Sequence, residues 1–135
     1  MLSGMGVSDS IKRAAHAVGA HRVSTRPSTR HVRVEQDGQV LAESDRAVEL
    51  SETGLPTRFY LPREDVRTDL LTASATTSYC PFKGDATYFS APGCPDAFWT
   101  YEAPTEADAR PIAGLLAPDP GSADVRVTPG AREPS

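Results

Sequence analysis

Val32-Arg33-Val34-Glu35-Gln36-Asp37-Gly38-Gln39-Val40-Leu41-Ala42-Glu43-Ser44 decides the fold class of this 135-residue chain. Val32 and Val34 alternate with Arg33 and Glu35, the two-residue period of a strand that buries one face. Asp37-Gly38 follows, and Asp-Gly tolerates positive φ at both centres of a two-residue hairpin turn. Residues 40–44 are then the returning arm. A hairpin cannot stand alone in water, so further strands are required.

The sequence supplies them. Residues 46–50 read as a strand closed by Glu52-Thr53-Gly54, and residues 57–61 as another stopped by Pro62. Residues 63–66 form a short polar turn, and residues 66–71 are expected to be extended. Tyr79-Cys80 leads into a turn that residues 86–90 leave as a strand. Residues 91–96 are a loop by their Pro and Gly content. Residues 97–102, rich in aromatics, are strand-like. A helical turn is expected at 105–110, an apolar packing run at 112–117 and a last short strand at 125–127. Short strands with turn signals between them predict a mainly β fold, built of sheets that curl to protect their edges.

Charge divides the chain. Its net charge is -4, yet residues 1–30 hold five of the fourteen basic residues and one of the eighteen acidic ones. Residues 1–29 mix Gly, Ser, Ala, His and Arg with few large apolar side chains, and are expected to be a disordered basic extension. The folded domain is expected at 30–128, and residues 129–135 are expected to be loose. Its acidic balance repels phosphate backbones, so nucleic-acid binding by the folded part is disfavoured, and any such affinity falls to the tail. No run approaches the roughly 18 apolar residues of a membrane span, and no secretory h-region is visible. A cytoplasmic protein without membrane association is expected. Oligomeric state is not legible.

Chemistry concentrates in Thr77-Ser78-Tyr79-Cys80-Pro81-Phe82-Lys83-Gly84-Asp85-Ala86-Thr87-Tyr88, which gathers a thiol, an amine, a carboxylate and two phenols around one turn. Lys83 is one of two lysines, the other being Lys12 in the tail. A turn lysine is a compact cation for phosphate or carboxylate, a nucleophile when desolvated, or simply solvated. Cys80 is an activated thiolate beside that amine or a small buried hydrophobe. Arg46 offers a bidentate fork for an anion or pairs with Glu64, Asp65 or Asp69. Asp65 and Asp85 are the carboxylates nearest these motifs, and each is a possible metal holder or general base. Most of Tyr60, Tyr88, Trp99 and Tyr101 belong to the core, with one or two left to line a pocket. Two cysteines, Cys80 and Cys94, do not make a zinc site, and free thiols are expected over a disulfide. No metal site is expected, and the cofactor is left open.

Five blocks carry a resemblance: Gly38-x-Val40-x-Ala42-x-Ser44-x-Arg46-Ala47, Phe59-Tyr60-x-Pro62-Arg63-Glu64-Asp65-Val66, Cys80-Pro81-Phe82-Lys83-Gly84-Asp85-Ala86-Thr87-Tyr88, Trp99-Thr100-Tyr101 and Pro111-Ile112-Ala113-Gly114. In this order, from about residue 31 to 127, they resemble the small bacterial and fungal domains called domain of unknown function 427. The resemblance implies a single small β-tent domain of curled antiparallel sheets, an architecture shared with zinc-binding Mss-four-like proteins and B-type methionine sulfoxide reductases. The cysteine pairs that bind zinc in those relatives are absent here. Some classifications label the family nucleotidyltransferase. Two positions depart from the pattern: Ser78-Tyr79 stands where relatives often carry His or Thr, and Pro118-Asp119-Pro120 stands where an aromatic is usual.

These readings lead to one expected site. Arg46, Tyr60, Cys80, Lys83 and Tyr88 are expected to form a polar pocket for an anionic metabolite or nucleotide, with Arg46, Tyr60, Lys83 and Tyr88 binding. If the domain is an enzyme, Cys80, Lys83 and Asp85 are the catalytic candidates, by nucleotidyl transfer or by thiol chemistry at Cys80. The chain has no P-loop for phosphates. An interaction module using the basic tail is the third reading.

Overall fold

A computed structural model describes residues 21–130 of the chain. Ten strands form three antiparallel sheets: β1 (Val23–Pro27), β2 (Arg30–Gln36), β3 (Gln39–Ser44), β4 (Val48–Glu52), β5 (Arg58–Tyr60), β6 (Thr72–Cys80), β7 (Gly84–Ala91), β8 (Cys94–Tyr101), β9 (Ala117–Pro118) and β10 (Asp124–Pro129). The sheets run β1-β4-β5, β10-β2-β3 and β6-β7-β8-β9. The protein is a small, mainly β domain. Among the described residues no helix is long and apolar enough to cross a membrane.

The β2–β3 hairpin turns as expected, with Asp37 at φ 50° and Gly38 at φ 81° between Gln36 and its partner Gln39. Val32 and Val34 face the core and are fully buried. The register slips between Val34 and Glu35, which leaves Leu41 opposite no partner. That bulge breaks the two-residue alternation on β3, so consecutive Leu41 and Ala42 are both buried.

Two apolar clusters stabilise the sheets. One gathers Val32, Val34, Leu41, Leu61, Phe98 and Leu116, joining the β2–β3 hairpin to β8. The other gathers Leu50, Tyr60, Tyr101 and Ile112, joining β4 and β5 to β8. Leu61 and Leu116 exchange both backbone hydrogen bonds, at 2.8 and 2.9 Å, and so tie the segment after β5 to the segment before β9. Each fully buried Leu or Phe contributes about 1.5–3 kcal/mol from area removed from water.

Three expectations are corrected. The extension expected to be disordered through residue 29 contains β1, which pairs with β4 from Val23 opposite Glu52 to Pro27 opposite Val48. Neighbouring β4 supplies the partner that residues 23–27 lack in isolation, and Val23 is buried in the second cluster. Residues 1–20 and 131–135, which include most of the extension and the C-terminus expected to be loose, lie outside the described residues. Residues 66–71 are not extended: Thr68–Leu70 is a 3-10 turn following another at Arg63–Asp65. Only Val66 is buried there, so the exposed chain closes local bonds, Leu70 N–H to Arg67 O and Leu71 N–H to Thr68 O. The segment 91–96 is a tight hairpin turn rather than a loop, with Gly93 at φ 70° letting β7 and β8 run close to it.

Candidate functional site

Lys83 closes the turn between β6 and β7, its amide donating to Cys80 O at 3.2 Å. Gly84 then opens β7 at φ 98°, and a Cβ there would lie 3.0 Å from the Ala103 carbonyl oxygen. Only glycine meets both demands, so the backbone crosses close under residue 103 and directs Lys83 inward. Its Nζ donates to Glu52 Oε1 at 2.8 Å and sits 5.4 Å from the centroid of the Tyr101 ring. Lys83 is a buried, paired cation and not a solvated turn lysine.

Glu52, at the end of β4, has a second partner. His21 Nε2 lies 3.2 Å from Glu52 Oε2, and the imidazole stacks on Phe82 with centroids 4.1 Å apart. The chain before β1 is thereby fastened to the turn that carries Lys83. The His21–Glu52–Lys83 cluster is thus assembled from three separate segments.

Above the Glu52–Lys83 pair lies a cavity of about 260 Å³ lined from both the β1-β4-β5 and the β6-β7-β8-β9 sheets. Leu50 and Glu52 come from β4, Arg58 from β5, Tyr88 from β7, and Trp99 and Tyr101 from β8, with Asp119 following β9. The Arg58 guanidinium lies over the Trp99 ring, 5.7 Å from its centroid. Among the described residues no carboxylate forms an ion pair with Arg58. Behind the cavity, the Trp99 indole donates to Tyr60 Oη at 3.0 Å and the two rings meet edge to face. Burial pushes the Tyr60 hydroxyl up to about 12, against the opposing hydrogen bond from Trp99. Burial also pushes the Tyr101 hydroxyl well above its ordinary range. Both phenols therefore stay neutral at physiological pH and present dipoles, not charges.

Of the five residues expected to converge, two line this cavity: Lys83 and Tyr88. Tyr60 is fully buried and supports Trp99 from behind. Cys80 is half-buried against the second apolar cluster, and both cysteines are free thiols. The two thiols sit in different clusters. Arg46 is elsewhere. Its guanidinium takes Asp65 bidentately, at 3.3 and 3.0 Å, with Ser44 also donating to that carboxylate at 2.7 Å. Asp65 is thus consumed by a pair at the far end of β3, and its pKa is lowered by Arg46 and Ser44 against the opposing effect of partial burial. Asp85 is exposed on β7 opposite Tyr79 and lines no part of the cavity. Among the described residues no three His, Cys, Asp or Glu side chains gather as metal donors.

Sequence reasoning missed Glu52, Arg58 and Asp119. Arg58 had the one available signal, an arginine beside the aromatic Phe59-Tyr60 pair on a short strand. Residues 24–128 match the family described as Domain of unknown function (DUF427). The chain belongs to this family. The DUF427 match begins inside β1 and ends inside β10, so the strand found in the supposed tail is part of the domain proper. No curated protein matches the chain.

Proposed function

We propose that this DUF427 domain binds a small ligand through an anionic group of that ligand, a carboxylate or phosphate, in the cavity between its β4-β5 and β7-β8 strands. Arg58 carries the reading: a guanidinium at the cavity wall, oriented by the Trp99 face and free of any carboxylate partner among the described residues. Arginine in that setting offers two parallel donors to a planar anion, and its charge is already partly desolvated by the ring. Arg58 replaces Arg46 as the anchor, because Arg46 is neutralised by Asp65. Lys83 shapes the cavity floor through its bond to Glu52. A cytoplasmic setting, in which both thiols stay reduced, belongs to the same reading.

Nucleotidyl transfer is the alternative, and it makes heavier demands. Carboxylates must hold Mg²⁺ at the phosphates. The cavity has Glu52 and Asp119, and Glu52 is engaged by Lys83 and His21.

The test is a thermal-shift screen of nucleotides, sugar phosphates and organic acids, with and without Mg²⁺, on wild type and Arg58→Gln. A ligand at about 100 times its dissociation constant adds about 2.7 kcal/mol to wild type. Loss of that shift in Arg58→Gln is expected. An equal shift in both proteins refutes the anchor, and a shift by nucleotides alone, requiring Mg²⁺, transfers the case to nucleotidyl transfer.

A further inference from the structure

The charges of the cavity specify the ligand further, in a step that rests on Arg58 as the anion anchor. Glu52 and Lys83 neutralise each other within it. What remains is Arg58 and Asp119, of opposite sign, lining one cavity. Neither is in an ion pair with the other or with any charged side chain among the described residues. Asp119 is held in place by its own turn: Oδ1 accepts the Gly121 amide at 2.9 Å, and its backbone oxygen accepts from Ser122 and Ala123 at 2.9 and 3.0 Å. Its Oδ2 has no hydrogen-bond partner among the described residues.

A simple anion at Arg58 meets repulsion from Asp119, and a simple cation at Asp119 meets repulsion from Arg58. A zwitterion satisfies both. Beside the neutralised Glu52–Lys83 pair and the Tyr88 and Tyr101 side chains, the wall has an apolar part made by the Trp99 ring, Leu50 and Leu55, and Leu55 is 57 % exposed. The volume of about 260 Å³ lies just below the range of about 300–1,000 Å³ that holds drug-sized ligands.

We propose that the cavity takes a free α-amino acid with an apolar or aromatic side chain, its carboxylate on Arg58, its ammonium on Asp119 and its side chain against Trp99 and Leu55.

Calorimetric titration of the full chain with L-phenylalanine and L-leucine, each beside its 2-hydroxy acid and its decarboxylated amine, tests this. The amino acid is expected to bind about tenfold or more tighter than either analogue, a margin typical of one charge-assisted hydrogen bond. Asp119→Asn keeps an acceptor for the Gly121 amide, so the turn survives. In that variant the preference of amino acid over hydroxy acid disappears, and the hydroxy acid, relieved of the repulsion from Asp119, binds at least as tightly as to wild type. Equal binding of amino and hydroxy acid to wild type, or a preference that survives Asp119→Asn, overturns the zwitterion and leaves the Arg58 anchor standing. If no amino acid binds but a phosphate ester does, and Arg58→Gln abolishes it, the amino-acid inference alone fails. If nothing carrying a carboxylate or phosphate binds, both fail.

Discussion

Lys83→Met removes one charge while keeping a side chain of similar length in place, and so isolates the buried ion pair beneath the cavity. The side chains of Lys83 and Glu52 are 11 % and 6 % exposed, and their charged atoms are 2.8 Å apart. At an effective dielectric of about 20 the attraction over that distance is on the order of 6 kcal/mol, most of it offset by the cost of desolvating both ions. The variant therefore does not lose the pair's gross energy. It leaves the Glu52 carboxylate buried without its cation, which typically costs about 3–5 kcal/mol. His21, 3.2 Å from the other carboxylate oxygen, remains as a hydrogen-bond partner and puts the expectation at about 3 kcal/mol, with loss of the Tyr101 ring contact included. For a domain of this size that is a fall in Tm of about 12 °C, read by circular dichroism, or the same energy from urea unfolding. Glu52→Gln combined with Lys83→Met leaves no unpaired charge and should return to within about 1 kcal/mol of wild type. A cost below about 1 kcal/mol for the single variant, the value of a surface pair, refutes the burial argument. So does a double variant no more stable than the single one. The same measurement explains why Lys83 is a poor place to test ligand binding: its removal perturbs the fold and the cavity together.

Two other outcomes follow from local electrostatics. His31 has Asp45 2.7 Å from Nδ1 and Glu43 2.7 Å from Nε2, and these hydrogen bonds, Asp45 first, hold its pKa above the ordinary histidine value. A raised folded pKa contributes stability that is complete below about 6.5 and lost as pH rises through the folded value, so stability should decline above that pH in wild type and stay flatter in His31→Gln; identical slopes would remove His31 from the account. Cys94 is buried, its Sγ donates to Ser122 O at 3.0 Å, and burial pushes its thiol up, whereas Cys80 is only half-buried. Native protein treated with a thiol reagent should label Cys80 first and Cys94 only on unfolding, and rapid native labelling of Cys94 would contradict its packing.

Legibility in the sequence followed the range of the interaction. The β2–β3 hairpin was readable because its turn needs positive φ at Asp37 and Gly38 and its strand alternates, both local properties. The aromatic strand β8 was readable for the same reason, Phe98 inward and Trp99 toward the cavity. β6 was legible only at its end, because a nine-residue edge strand exposed along most of its length has no apolar alternation to display. β1 was invisible, since five residues with one buried Val acquire their conformation from β4.

The sequence by itself determined that the chain is a mainly β domain of the DUF427 family and that Gly84 and Lys83 sit at one turn. Those conclusions depend on backbone preference, side-chain period and motif order, which act over a few residues. Only the tertiary structure decided which cation is free. Arg46 and Arg58 are alike in sequence, each near the start of an expected strand, but Arg46 folds against Asp65, nineteen positions away, while Arg58 meets the Trp99 ring and no carboxylate among the described residues. Charge is a property of a residue, whereas neutralisation is a property of what the fold brings within about 4 Å of it.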